Sequence, residues 1–318
     1  MPGTNPDLPL EHKIVELRFK LNIGEVNFYT FRLDGKYSFQ NIFSLTPLNV
    51  PDDIFTAHQT LEAPVQYNSL PIQKACGRIH SNDRVIAFFT KPYLHYFVDT
   101  SGTMEHYLGN FRSKTRNSLK RKIKKAVIGD GNSLKVVTEK EEIRDFLKDA
   151  WTLSEKTYQE RLLGRPLPRD EEFIQRCEQA AAKGKLVGII LYINNTPVAY
   201  NFCPIDDSGI LLYDYTGYDP AYSKFSPGTV VQYETIKYAF ENPGIRFYDL
   251  CTGDGPHKEL FATGSVLCCN AFIFPRKLKY QFMVWIRSLT DNISDIIKTV
   301  LNKIGVKDLI KRVIRRRG

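Results

Sequence analysis

Asp249, His257 and Lys258 lie within one short segment, DLCTGDGPHKELF, residues 249–261. An imidazole titrates near pH 6.5, so His257 can exchange a proton at neutral pH, and the Lys258 ammonium can hold an anion or developing negative charge. Glu155, in EKTYQERLLG, is a second candidate base, with Tyr158 close behind it. A different chemistry belongs to SKFSPGT, residues 223–229. Ser226 and Thr229 carry hydroxyls, Pro227 stiffens a helix entry and Gly228 lets another group approach the backbone. The unpaired N–H groups and positive dipole end of such a helix start can face an anion.

Other chemistries find little support. The six histidines form no H-x-x-x-H or H-E-x-x-H pattern, so no metal is expected. The six cysteines form no C-x-x-C pair, and adjacent Cys268 and Cys269 could not form an ordinary unstrained bridge, so all six read as reduced thiols. Gly253-Asp254-Gly255 lacks the third glycine and following helix of a dinucleotide loop, and neither a G-x-S-x-G elbow nor a Walker loop is present. The opening MPGTNPDLPLEH lacks a basic segment followed by an apolar one, and no window approaches the roughly 18 uninterrupted apolar residues of a membrane span. The expected compartment is the cytoplasm.

With 318 residues, 42% hydrophobic and 25% charged, the chain has ordinary globular proportions and length for two modest domains. Its net charge of +9 is localised. Twelve Lys/Arg face three Asp/Glu between Arg276 and Gly318, which leaves 32 basic and 32 acidic residues elsewhere. A second basic block, from Arg112 to Lys125, contains no acid. Within the tail, Ile293, Ile296, Ile297, Val300, Leu301 and Ile304 form one apolar helical stripe and Val306, Leu309, Ile310, Val313 and Ile314 another. A basic amphipathic segment of this kind can lie on an anionic membrane surface or cover the body of the protein.

The elements that must position these residues follow from periodicity. Val15, Leu17, Phe19 and Leu21 alternate with polar residues, and NFYTFRL and VIAFF are rich in β-formers, so the first hundred residues read as strands and loops. The stretch from Thr46 to Pro71 resists assignment. Tyr107 to Val127 reads as one helix, with Leu108, Phe111, Thr115, Leu119, Ile123 and Ala126 on its inner face. Thr138 and Glu141 have capping-box spacing before a helix carrying Ile143, Phe146, Leu147, Ala150 and Trp151. A shorter helix around Phe173 and Cys177 ends at Gly184. Three strands, KLVGIILYI, TPVAYNFCPI and ILLYDYTGY, are joined by turns too short for anything but an antiparallel meander. A helix from about Thr229 to Glu241 then leads to IRFYDL, which can return parallel to the third strand. This order predicts an α+β fold and excludes a doubly wound sheet.

The same order, with EKTYQERLLG, LYINNTPVAY, TGYDPAYSKFSPGT and DLCTGDGPHKELF, resembles the GNAT (Gcn5-related) acyl-CoA acyltransferases, in particular the CelD/BcsL-like acetyltransferase domain related to FemAB-type transferases. The resemblance implies two GNAT-like halves: a degenerate one at 1–105, a basic connecting helix at 106–132, the acyltransferase domain at 133–275 and an amphipathic tail at 276–318. It implies acetyl-CoA or another acyl-CoA as cosubstrate, held by Ser226, Pro227, Gly228 and Thr229. It also implies a cleft where ILLYDYTGY and IRFYDL splay apart, in which a backbone N–H meets the thioester carbonyl. Asp249, His257, Lys258 and Glu155 are then the catalytic candidates, and Tyr158 and Tyr218 border the acceptor. The implied acceptor is an amine or hydroxyl of a sugar, nucleotide-sugar or polysaccharide precursor. A FemAB-like transferase using aminoacyl-tRNA, with the basic helix on RNA, and a GNAT-fold binding protein without catalysis are the alternatives.

Overall fold

The computed structural model describes residues 13–23, 26–39, 41–155, 166–253 and 255–303. Among these the chain forms two compact units, one made of residues up to His95 together with those from Val266 onward, the other of Tyr96–Ser265. The boundaries differ from those the sequence suggests. The first unit is discontinuous, and the basic helix falls inside the second.

The first unit begins with a long hairpin, β1 (Lys13–Ile23) and β2 (Val26–Phe39), in which Leu17, Phe19 and Leu21 are buried as their alternation requires. The stretch that resisted assignment holds the short helix α1 (Asp52–Ala57) and β3 (Val65–Pro71), which joins β2 in parallel. Asp53 there accepts the N–H of Asn49, a local bond that periodicity does not reveal. After β4 (Ile79–Ser81) and the fully buried β5 (Val85–Phe89), β6 (Tyr93–Asp99) carries the chain into the second unit.

The single helix expected over 107–127 is two. α2 (Met104–Gly109), capped by Thr103, ends at Asn110, and α3 (Ser113–Val127) begins afresh. β7 (Ser133–Val137) follows, then a 3-10 turn at Lys140–Glu142 and α4 (Ile143–Ser154). The capping box does not form: the Thr138 hydroxyl bonds to the Glu139 carboxylate, 3.2 Å away, and the 3-10 turn absorbs the first N–H groups. The inner stripe of α4 is nonetheless buried as its spacing predicts. α5 (Glu171–Ala182) has Asp170 as N-cap and ends on Gly184, whose φ of +66° only glycine adopts readily.

β8 (Leu186–Ile193) and β9 (Thr196–Pro204) form the expected antiparallel hairpin, turning through Asn194 and Asn195, both at positive φ. The third strand of the meander is divided. β10 (Ile210–Leu212) leaves β9 except for one bridge, whereas β11 (Tyr215–Tyr218) stays antiparallel to β9 as the edge of the sheet β11-β9-β8-β7. α6 (Pro227–Glu241) leads to β12 (Phe247–Asp249), which returns parallel to β10 as the order of elements predicts and is antiparallel to residues 97–99. α7 (Pro256–Phe261) then closes on the core, where the Phe261 carbonyl accepts from the Tyr107 hydroxyl at 2.8 Å.

β13 (Gly264–Pro275) brings the chain back to the first unit between β3 and β5, and α8 (Leu278–Lys303) packs its Tyr280, Met283 and Val284 on Phe19, Phe88 and Phe274. The sequence anticipates a separate tail from residue 276. The structure instead anchors its first turns in the core.

Candidate active site

β10 and β12 pair from Ile210 and Phe247 as far as Leu212 and Asp249, with a last bond from the Tyr213 N–H to the Asp249 carbonyl at 2.9 Å. Beyond this point the strands part. In β11, Asp219 N–H bonds to Val198 carbonyl, so the alternation of an antiparallel ladder turns the N–H groups of Tyr215 and Gly217 toward β9. Thr216 and Tyr218 therefore present theirs to the open edge. In β10 the odd-numbered N–H groups face β12 and in β11 they face β9, so the chain rotates at Tyr213–Asp214. That rotation separates β11 from β12 and leaves backbone donors along the open edge of β11.

The open edge runs directly to the start of α6. A Cβ on Gly228 would sit 3.6 Å from the Tyr218 ring, an ordinary contact. Ser226 takes the left-handed conformation (φ +54°, ψ +48°), which ends the 3-10 turn Pro220–Phe225 and opens α6 in a single residue. Its carbonyl receives the N–H groups of Thr229 and Val230, and Pro227 occupies the position that needs no donor. Strain of this kind in a non-glycine residue concentrates at functional sites. α3 packs beside this turn, so that Lys125 and Lys224 both stand over the Phe225 ring, at 5.3 and 5.2 Å, and the Lys125 ammonium donates to the Lys224 carbonyl at 3.0 Å. Two cations and a helix dipole thus converge on one small region.

Around the split, Tyr213 lies between Tyr248 and His257, with ring centroids 6.2 and 6.4 Å away. Burial pushes the Tyr213 hydroxyl up to about 12, so it stays protonated at neutral pH. Burial and the neighbouring Lys258 ammonium push the His257 imidazole below its usual 6.5, so it is neutral at pH 7 and able to accept a proton.

Asp249 and Lys258 are buried, and both bond to the backbone of the turn that follows β12. The Asp249 carboxylate takes the Cys251 N–H at 2.6 Å and holds Cys251 at φ +59°. The Lys258 ammonium donates to the carbonyls of Thr252 (2.7 Å) and Cys251 (3.3 Å), fixing the turn that separates β12 from α7. Lys258→Ala would leave those carbonyls without their donor, and a loss of about 1–3 kcal/mol is expected in urea unfolding. Lys258→Arg, which keeps donors in place, should lose less.

Glu155 ends α4 in an exposed ion pair with Arg169, 2.7 Å away, which already occupies its carboxylate. Tyr158 lies outside the described residues. Tyr218 is half exposed on the open edge, and Asp219 caps the following turn by accepting the Ala221 N–H. Among the described residues no group of His, Cys, Asp and Glu could hold a metal ion.

A buried polar network, which local periodicity does not reveal, lies where the strands part. The Thr216 hydroxyl donates to Asn201 Oδ1 at 2.7 Å, Asn201 Nδ2 donates to Thr235 and to Gln232 Oε1, and the Tyr248 hydroxyl reaches that same oxygen at 3.2 Å. The signal was present: Asn201 is the one strongly polar residue inside the apolar run VAYNFC, and a polar residue in a fully buried strand needs partners. The network ties β9, β11, β12 and α6 together at the point where the strands part.

No curated protein matches this sequence. Solved structures resemble it at low identity. One is a conserved protein of unknown function from Bacteroides thetaiotaomicron VPI-5482, at 13% identity and TM-score 0.40, with 61% of this chain and 63% of that one covered. Others are the C-terminal domain of a putative lysylphosphatidylglycerol synthetase from Agrobacterium fabrum (10%, TM-score 0.48, 88% of each chain) and FemX (12%, TM-score 0.46, 85% of this chain and 90% of that one). Residues 113–259 match the family described as the acetyltransferase (GNAT) domain, a span inside the second unit that holds the α6 start, the parted strands and His257, and the α+β fold of that unit is the GNAT-like one its order of elements predicts.

Proposed function

We propose that the second unit transfers an acyl group, in the simplest case acetyl, from coenzyme A to an amine or hydroxyl acceptor. The observation that carries this reading is the continuity of the open β11 edge with the α6 start, where the Tyr218 ring lies 3.6 Å from the point a Cβ on Gly228 would occupy. A donor with a diphosphate at one end and an amide-containing arm suits that path. The diphosphate meets the helix N-terminus with Lys125 and Lys224 nearby, the arm pairs with the edge as a further strand would, and the thioester reaches the split at Tyr213. There the N–H of Thr216 is the nearest edge donor for the carbonyl oxygen as it gains charge. His257 accepts the proton of the attacking amine or hydroxyl as the new C–N or C–O bond forms. Tyr213 supplies a proton to the thiolate as the C–S bond breaks. The acceptor proposed from the CelD/BcsL resemblance is a sugar, nucleotide-sugar or polysaccharide precursor, acting on the cytoplasmic side.

A second reading is favoured by α3. Its basic residues extend over a helix about 22 Å long beside the α6 start, more than one diphosphate needs, and an aminoacyl-tRNA donor would use that length for phosphate contacts. Incubation of the protein and a cell extract with isotope-labelled acetyl-CoA, followed by mass spectrometry, separates the two. Label on a glycan or nucleotide-sugar supports the CoA reading. Transfer that requires charged tRNA and ignores every acyl-CoA overturns it.

A further inference from the structure

In the first unit, α8 has two unlike faces. The inward one is fixed: Tyr280 stacks on Phe274, the Arg287 guanidinium donates to the Lys20 carbonyl, and the Ser294 hydroxyl donates to the Asn22 carbonyl at 3.3 Å. The outward one carries Leu278, Phe282, Trp285, Leu289, Ile296 and Val300, each between 46 and 82% exposed and spaced to form one seam along the helix. Phe282 and Trp285 stack on each other, with centroids 6.2 Å apart. Solvent-exposed apolar residues are ordinary when scattered, whereas a continuous seam with an exposed tryptophan marks an interaction surface.

The charges say what kind of surface would cover it. Both acids of α8 are neutralised on the inward side, Asp291 by Arg287 at 3.1 Å and Asp295 by Arg78. Lys277 and Lys279 are exposed at the start of the helix, and residues 304–318 add six Lys/Arg against one Asp. The Ser294–Asn22 bond also sets the end of β1 against α8, and at this end of the hairpin Ile23, Val26 and Phe28 are exposed. A second copy of the chain would bring two strongly basic segments together, which opposes pairing through this seam. Among the described residues no helix is long and apolar enough to cross a membrane.

We propose that the α8 seam docks on a bilayer surface rich in anionic lipid, with the helix lying in the plane of the interface, its apolar side chains among the acyl chains and its cations at the headgroups. The seam belongs to the first unit and the proposed CoA site to the second, and its residues take no part in the proposed chemistry.

The full chain should sediment with phosphatidylcholine vesicles containing phosphatidylglycerol at least about tenfold better than with phosphatidylcholine alone, and less well at high salt. Brominated acyl chains should quench Trp285 emission, and that quenching should vanish in Trp285→Phe, which stays bound. Phe282→Glu/Trp285→Glu should lose at least about tenfold in vesicle affinity. Leu278→Glu, at the most exposed position of the seam, provides a second variant, and thermal unfolding checks that both fold. CoA affinity, measured on the same variants, should be unchanged. Equal binding to both vesicle types, binding without quenching, or a dimer that dissociates in the Glu variants would overturn the proposal.

Discussion

Replacing His257 by phenylalanine should lower kcat by about a hundredfold while leaving the dissociation constant for CoA within about twofold, the signature of a lost general base. The ring of phenylalanine fills similar space against Tyr213 but cannot accept a proton. The pH profile of the parent enzyme adds an independent check. Burial and Lys258 lower the imidazole below its usual 6.5, so the basic form persists at pH 7 and kcat/KM should fall only as pH drops through a value below 6.5. In the variant that acidic limb should disappear. A variant that keeps both the rate and the limb would move the base elsewhere, and Glu155, released from Arg169, would be the next residue to test.

Gly228→Glu should weaken CoA binding by at least about tenfold, equivalent to about 1.4 kcal/mol. The position is suited to this test because it separates folding from binding. A Cβ at residue 228 meets only the Tyr218 ring, at 3.6 Å, so the backbone need not move. A carboxylate at that point puts both bulk and negative charge where the helix start and the Lys125 and Lys224 cations favour a phosphate. Gly228→Ala adds the methyl group without the charge and should bind with a much smaller loss.

The contrast between what periodicity reveals and what it misses is clearest at the third strand of the meander. ILLYDYTGY reads as one continuous strand, and its flanking turns correctly place it between TPVAYNFCPI and the helix that begins at Pro227. Its division at Tyr213–Asp214 arises from competition between two partners, β9 and the later β12. A partner 37 residues away leaves no trace in local alternation. The same limit explains Asp249 and Lys258. Their types advertise catalysis, but their burial follows from the turn at Cys251, which forms only once α7 folds back onto β12. Tyr213 gives no signal in the sequence, because a tyrosine in an apolar strand looks like core until the strand beside it leaves. By contrast the α6 start was legible: serine, proline and glycine before a helical run specify a helix N-terminus through local stereochemistry alone.

Titration calorimetry of the protein with CoA and with acetyl-CoA tests whether the segment 113–259 holds an acyl-CoA donor at the α6 start. One site per chain is expected for both ligands, with affinity reduced at least about tenfold in Gly228→Glu and little changed in His257→Phe. Absence of CoA binding in the folded parent protein, or equal affinity in Gly228→Glu, would contradict it.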